Sequence, residues 1–209
     1  MSPLARAEQK RAATARLTAT EAVSESMPES DFDERAWRER ITEYRAEKDE
    51  FLADHTQSPI PPGEREGFDG LDYYAPDPTY RIVARIQVPS EREEAELATT
   101  TGPDRTYERA ATVGFTLADE HHVLEAYAAP AQKGLFVPFT DPTNGEATYE
   151  RGRYLELDVE SFETGDDVVV DFNTAYSPFC AYDDGFACVI PPKENHVSVP
   201  VEAGERTRE

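Results

Sequence analysis

The chain has 209 residues, with 43 Asp and Glu against 21 Lys and Arg and a formal net charge of −22 at pH 7. Apolar residues make up 38%, below the ~45–50% of ordinary globular chains, yet ten Phe and ten Tyr are spread among the acids. No basic stripe exists to neutralise phosphates, which argues against nucleic acid, and no run approaches the ~20 apolar residues of a membrane span.

Arginine outnumbers lysine seventeen to four. An acid-rich, lysine-poor surface has the pattern of proteins from salt-in halophilic archaea. At molar salt the Debye length is about 3 Å, so the self-repulsion of such a surface is largely screened. The N-terminus has no apolar signal core. A cytoplasmic protein is expected, and with it free thiols rather than a disulfide.

Residues 1–29 are rich in Ala, Thr, Ser, Arg and Glu. They read as a disordered or weakly helical tail. A single domain is expected over 30–206. A helix over about 31–54 follows, with Ser30 as cap and Asp33 three residues on. Trp37, Ile41, Tyr44, Phe51 and Leu52 share one helical face, expected to dock on the chain's own sheet. Glu34 with Arg38, Arg35 with Glu39 and Arg45 with Asp49 are spaced for ion pairs.

From Tyr80 the pattern changes to period two. Strands are predicted over 80–88, 107–117, 123–129, 135–139, 154–159, 168–172 and 197–201. Residues 89–105 read as a long exposed connection. Pro138 places 135–139 at a sheet edge or strand end, and Asn144-Gly145 predicts a tight hairpin turn. His121 and His122 flank another turn and are expected in solvent. Short strands with turn signals and no helical crossovers predict a mainly β (α+β) fold: an antiparallel β-sandwich or partly open barrel with one N-terminal helix.

Three blocks stand out: GLDYYAPDPTYR at 70–81, GLFVPFTDPTNGEATYERGRYLEL at 134–157 and DFNTAYSPFCAYDDGFACVIPPKEN at 171–195, followed by Ala203-Gly204-Glu205. Their order and spacing resemble the family called domain of unknown function 1684, over about residues 31–206. The resemblance implies a single domain and carries no catalytic role onto any position.

The last block holds both cysteines and five aromatics among prolines, glycine and aspartates. Wet loops rarely carry so much aromatic surface, so the segment is expected to fold onto the core. Cys180 and Cys188 are eight apart, with His196 eight further on. That spacing is too wide for a zinc knuckle, which leaves zinc at these three residues an outside reading and predicts no cofactor. Buried free thiols, a disulfide and a Cys180–His196 nucleophile are the other readings. Asp171 follows three valines and needs a partner, for which Arg153 is the candidate.

Asp141, Tyr149, Arg153, Asp171, Asn173, Tyr176 and Asn195 are the candidate ligand-binding residues. Tyrosines with amide and guanidinium groups suit a small-molecule pocket built from 141–154 and 171–195. They equally suit loops tied by hydrogen bonds. A hydrolase-like enzyme using Asp141, Asp171 or Cys180 in that pocket is the alternative, and an interaction module docking through the α-helical Trp37–Leu52 face is the third reading. Nucleotide loops, a Gly-x-Ser-x-Gly elbow and a His-Glu-x-x-His zinc motif are all missing.

Overall fold

The computed structural model describes residues 32–91, 93–128 and 134–207; the expectation for 1–29 lies outside them, as does Ser30. Helix α1 spans Glu34–Asp54 and is capped by Asp33, whose carboxylate accepts the Ala36 N–H. Trp37, Ile41 and Leu52 are buried on its inner face. On the outer face Glu34 pairs with Arg38 at 2.8 Å and Arg35 with Glu39 at 3.1 Å. A one-turn helix α2, Pro62–Arg65, follows in the connecting loop.

The strands are β1 Arg81–Gln87, β2 Glu93–Leu97, β3 Arg105–Leu117, β4 Glu120–Ala128, β5 Leu135–Phe139, β6 Arg153–Leu157 and β7 Asp167–Asp171. They form one antiparallel sheet in the order β6-β5-β4-β3-β1-β7, with β2 beside the first half of β3. The sheet curls into a half-barrel. β3 is long enough to pair with β2 through Arg105–Arg109 and with β1 through Thr112–Gly114.

Alternation gives the sheet two apolar faces. The concave face is the main core: Ile86, Val113, Phe115, Leu124, Val137, Phe139, Leu155 and Val170, closed by Phe172, Val197, Val201 and Ala203. A smaller cluster on the opposite face joins Leu97, Tyr127, Phe136, Tyr154 and Val189, with Tyr107 and Tyr176 against it.

Four expectations are corrected. The connection over 89–105 contains β2, whose EEAEL sequence hides its alternation because Glu93 and Glu94 stay exposed while Leu97 is buried. Residues 197–201 form no strand, although Val197 and Val201 fill the core. His122 is 5% exposed, its ring beside Phe115. The edge reading of Pro138 is the fourth: strand β5 is flanked by β4 and β6, and Pro138 stands one residue from its end, the other place expected for it. The Pro138 carbonyl faces the β4 side and receives the Asn195 side chain; the missing N–H of Pro138 faces the same way, into a gap that this amide fills.

Candidate functional site

Arg153 opens β6 and is wholly buried. Its guanidinium donates to Asp141 Oδ1 at 3.1 Å and to the carbonyls of Val201, Ala203 and Glu205. Asp141 Oδ2 accepts the Thr143 amide and hydroxyl and the Val201 amide, at 3.1, 2.8 and 2.9 Å. Arg153 therefore pairs with Asp141, and the expected Arg153–Asp171 pair does not form. Burial pulls the guanidinium below its ordinary pKa, and Asp141 opposes that pull. The pair stitches the loop after β5 to the C-terminal segment. The turn at Gly204 (φ +77°) belongs to this arrangement: a Cβ there would lie 2.5 Å from the Ala175 carbonyl oxygen. Asn144 and Gly145 belong to the same knitted loop rather than a tight hairpin, with Asn144 Oδ1 accepting the Asp141 N–H.

Asp171 instead accepts the Trp37 indole N–H at 2.6 Å, and its other oxygen accepts from the Asn173 amide groups. Asn173 exchanges hydrogen bonds with the Asp77 backbone through its side chain. Asn195 does the same with Glu125 of β4 and reaches Pro138 of β5. These bonds engage the polar atoms of Asp141, Asp171, Asn173 and Asn195 in tying the chain to itself, and neither these four side chains nor Arg153 lines the aromatic cleft on the convex face of the sheet.

Tyr176 is placed differently. It lines a cleft of about 270 Å³ on the convex face of the sheet. Tyr107, Phe136 and Tyr154 form the floor; Pro178, Phe179 and Phe186 form the far wall. Phe136 and Tyr154 meet edge to face at 4.8 Å between centroids, as do Tyr154 and Tyr176 at 5.7 Å. The polar groups are few. Arg105 stands at the rim with its guanidinium on the Ala187 carbonyl, and Glu156 accepts the Tyr176 hydroxyl at 2.8 Å. Burial raises the Glu156 carboxyl above its ordinary pKa, and burial with the nearby Glu156 charge raises Tyr176. Glu156 escaped the sequence reading, although it is the outward residue of the alternating run Tyr154-Leu155-Glu156-Leu157. A wider depression of about 830 Å³ along the outer face of α1 is lined by ion-paired charged side chains and has no aromatic wall.

Behind the cleft, Glu205 is almost fully buried and accepts from Lys48 Nζ, the Tyr182 hydroxyl and the Ser177 amide. The Lys48 ammonium also lies 5.0 Å from the centroid of the Tyr176 ring. Tyr44, pushed up to about 12 by burial and the charges of Glu205 and Glu156, stands between these groups. Helix α1 thus docks on the segment after β7, and Trp37, Ile41 and Leu52 are covered by its own chain while Tyr44 stays partly exposed.

Cys180 and Cys188 are free and buried. The Cys180 amide donates to Cys188 Sγ at 3.2 Å, and the Tyr149 hydroxyl is 3.5 Å from Cys180 Sγ. His196 is not with them: its Nδ1 is 3.0 Å from Thr140 Oγ1. Among the described residues no group of three or more His, Cys, Asp or Glu is placed to hold a metal ion.

A curled antiparallel half-barrel with an aromatic cleft on its outer face defines a class of β-rich domain, and the comparisons with known proteins place it. The family described as "Protein of unknown function (DUF1684)" matches residues 66–206, and the chain belongs to this family. It is similar to an uncharacterised Haloarcula marismortui protein solved by solution NMR, at 44% identity and a TM-score of 0.68, over 83% of this chain and 95% of that one. The curated proteins contain no match. Among the described residues no helix is long and apolar enough to cross a membrane.

Proposed function

We propose that this protein is a salt-adapted, cytoplasmic binder of a small aromatic or amphipathic molecule, held between the convex face of the sheet and residues 176–189. One observation carries the reading. The cleft keeps six aromatic rings around an open space of about 270 Å³ with one carboxylate and one guanidinium near them. Closing it would recover roughly 25 cal/mol for each Å² of apolar surface buried. A space left open at that cost, with few polar groups among apolar walls, is the usual build of a small-ligand site. The net charge of −22 and the haloarchaeal origin of a relative at 44% identity support the salt adaptation.

The test is a thermal-shift screen of small aromatic and amphipathic compounds in molar KCl, run on the native chain and on Ala187→Trp. Ala187 lines the cleft, and an indole there fills it. Compounds that raise Tm of the native chain and lose that effect in Ala187→Trp support the reading. Equal shifts in both proteins, or no shift across the screen, overturn it.

A further inference from the structure

The two cysteines sit in one loop but are held by different parts of the fold. Cys180 lies in the 3-10 turn Phe179–Ala181, set by Pro178. Cys188 is pinned to the connection between β2 and β3: its carbonyl accepts the Thr100 N–H at 2.8 Å and its N–H donates to Thr100 Oγ1 at 3.1 Å. Phe179 and Phe186 meet edge to face at 5.4 Å and draw the two ends of the loop together. The outcome is the 3.2 Å contact between the Cys180 amide and Cys188 Sγ.

The charged and titratable groups facing the pair come from three sides. Tyr149 and Arg151 approach from the loop after β5, Thr100 and Arg105 from β3 and the connection before it, and Tyr154 from β6. Hydrogen bonds from Cys188 first, then Tyr149 and Thr100, with the Arg151 charge behind them, hold Cys180 down to about 6 against its burial. Cys188 is pushed up, chiefly because it gives its hydrogen bond to Cys180. Cys180 is thus the more acidic of the pair, although its own amide N–H on Cys188 Sγ partly opposes the difference. Cys188 also lines the cleft, which gives a small oxidant a way in.

We propose that Cys180 and Cys188 are a redox site that a peroxide converts to an intramolecular disulfide. The Cys180 sulfur attacks one peroxide oxygen, the O–O bond breaks, and the departing hydroxide takes a proton and leaves as water. Cys180 is now a sulfenic acid. The Cys188 sulfur attacks it, the S–O bond breaks, a second water carries off the Cys188 proton, and the S–S bond closes. The peroxide has gained two electrons and each cysteine has lost one. The new bond ties Phe179 to Phe186 and Ala187, all cleft residues, so oxidation sets the shape of that wall. The inference stands on the 3.2 Å approach of the Cys180 amide to Cys188 Sγ and holds whatever the cleft binds.

The experiment is intact-mass analysis of the folded full-length chain in molar KCl after brief exposure to stoichiometric hydrogen peroxide. The native chain is expected to lose two hydrogens and both free thiols without dimerising. Cys188→Ser is expected to accumulate a sulfenic acid at Cys180, trapped by dimedone, whereas Cys180→Ser reacts far more slowly. The rate for the native chain is expected to reach half its plateau near pH 6, where an ordinary thiol of pKa about 8.5 is scarcely ionised. Folded native chain that keeps both thiols while urea-unfolded chain is oxidised overturns the proposal. So does a Cys180→Ser variant that reacts as fast as Cys188→Ser.

Discussion

Arg153 and Asp141 show how a charged residue survives at zero exposure. Each guanidinium–carboxylate pair deep in a protein gives up hydration, and the loss is offset only when most of the remaining donors and acceptors find partners. Here Asp141 collects Thr143 and Val201 as well as Arg153, and the two terminal nitrogens of Arg153 collect three C-terminal carbonyls, leaving its Nε alone without a partner. Arg153→Met removes one ion and strands the other. It is expected to cost about 3–5 kcal/mol of stability, read as a fall in the denaturant midpoint, while any ligand response of the cleft is retained in the folded fraction. A change below about 1 kcal/mol, the range of exposed pairs, would show that the pair is not the fastening described. The same residue shows a limit of sequence reading. Asp171 reads as a carboxylate entering the sheet and needing a partner, with Arg153 as the candidate, and nothing in the sequence ranks Asp141 above it. The choice is made in three dimensions: Asp171 faces α1 and takes the Trp37 indole, which leaves Asp141 for Arg153.

The hairpin between β3 and β4 turns through Ala118 and Asp119, both with positive φ, at 50° and 63°. Leu117 pairs with Glu120 across it, so this is a two-residue loop of the mirror-image type that matches strand twist. Alanine is a poor occupant, since the left-handed region costs an ordinary residue roughly 1–2 kcal/mol. Replacing Ala118-Asp119 with Asn-Gly is expected to raise stability by about 1 kcal/mol, measured as an upward shift in Tm. Unchanged or lowered Tm would contradict the assigned turn.

Elements were legible where side chains obeyed one period. The runs 80–88 and 107–117 alternate strongly enough to read directly, and the helical stripe of Trp37, Ile41 and Leu52 did the same for α1. Legibility failed where a distant group changed the local rule. Pro138 signals an edge unless a group far along the chain, here the Asn195 amide, donates in its place to the Glu125 carbonyl of β4. β2 is masked by glutamates that only make sense once Arg109 stands opposite Glu93, at 2.9 Å. The aromatic half of the cleft was visible in the 171–195 block. Of the rest, Tyr154 lay within the expected segment 141–154, whereas Tyr107, Phe136 and Glu156 come from three strands whose adjacency depends on the sheet order.

At the scale of the whole molecule, a net charge of −22 opposes compaction at all but short screening lengths. The chain is therefore expected to keep its β circular-dichroism spectrum in molar KCl and to lose it on dialysis to tens of millimolar salt. Full retention of structure at low salt would contradict the salt-adapted reading. The molecule is a curled sheet carrying a sealed core inside and a cleft outside. The sealed face takes the volume-filling residues, and the outer face spends its aromatics on a space left open.

The most direct measurement on that outer face is aromatic carbon–proton NMR in molar KCl, titrating the labelled chain with compounds that raise its Tm. The account predicts shifts concentrated on Tyr107, Phe136, Tyr154, Tyr176 and Phe186, with the main-core rings Phe115, Phe139 and Phe172 unmoved. Shifts spread over the outer face of α1, or confined to the main core, would contradict it.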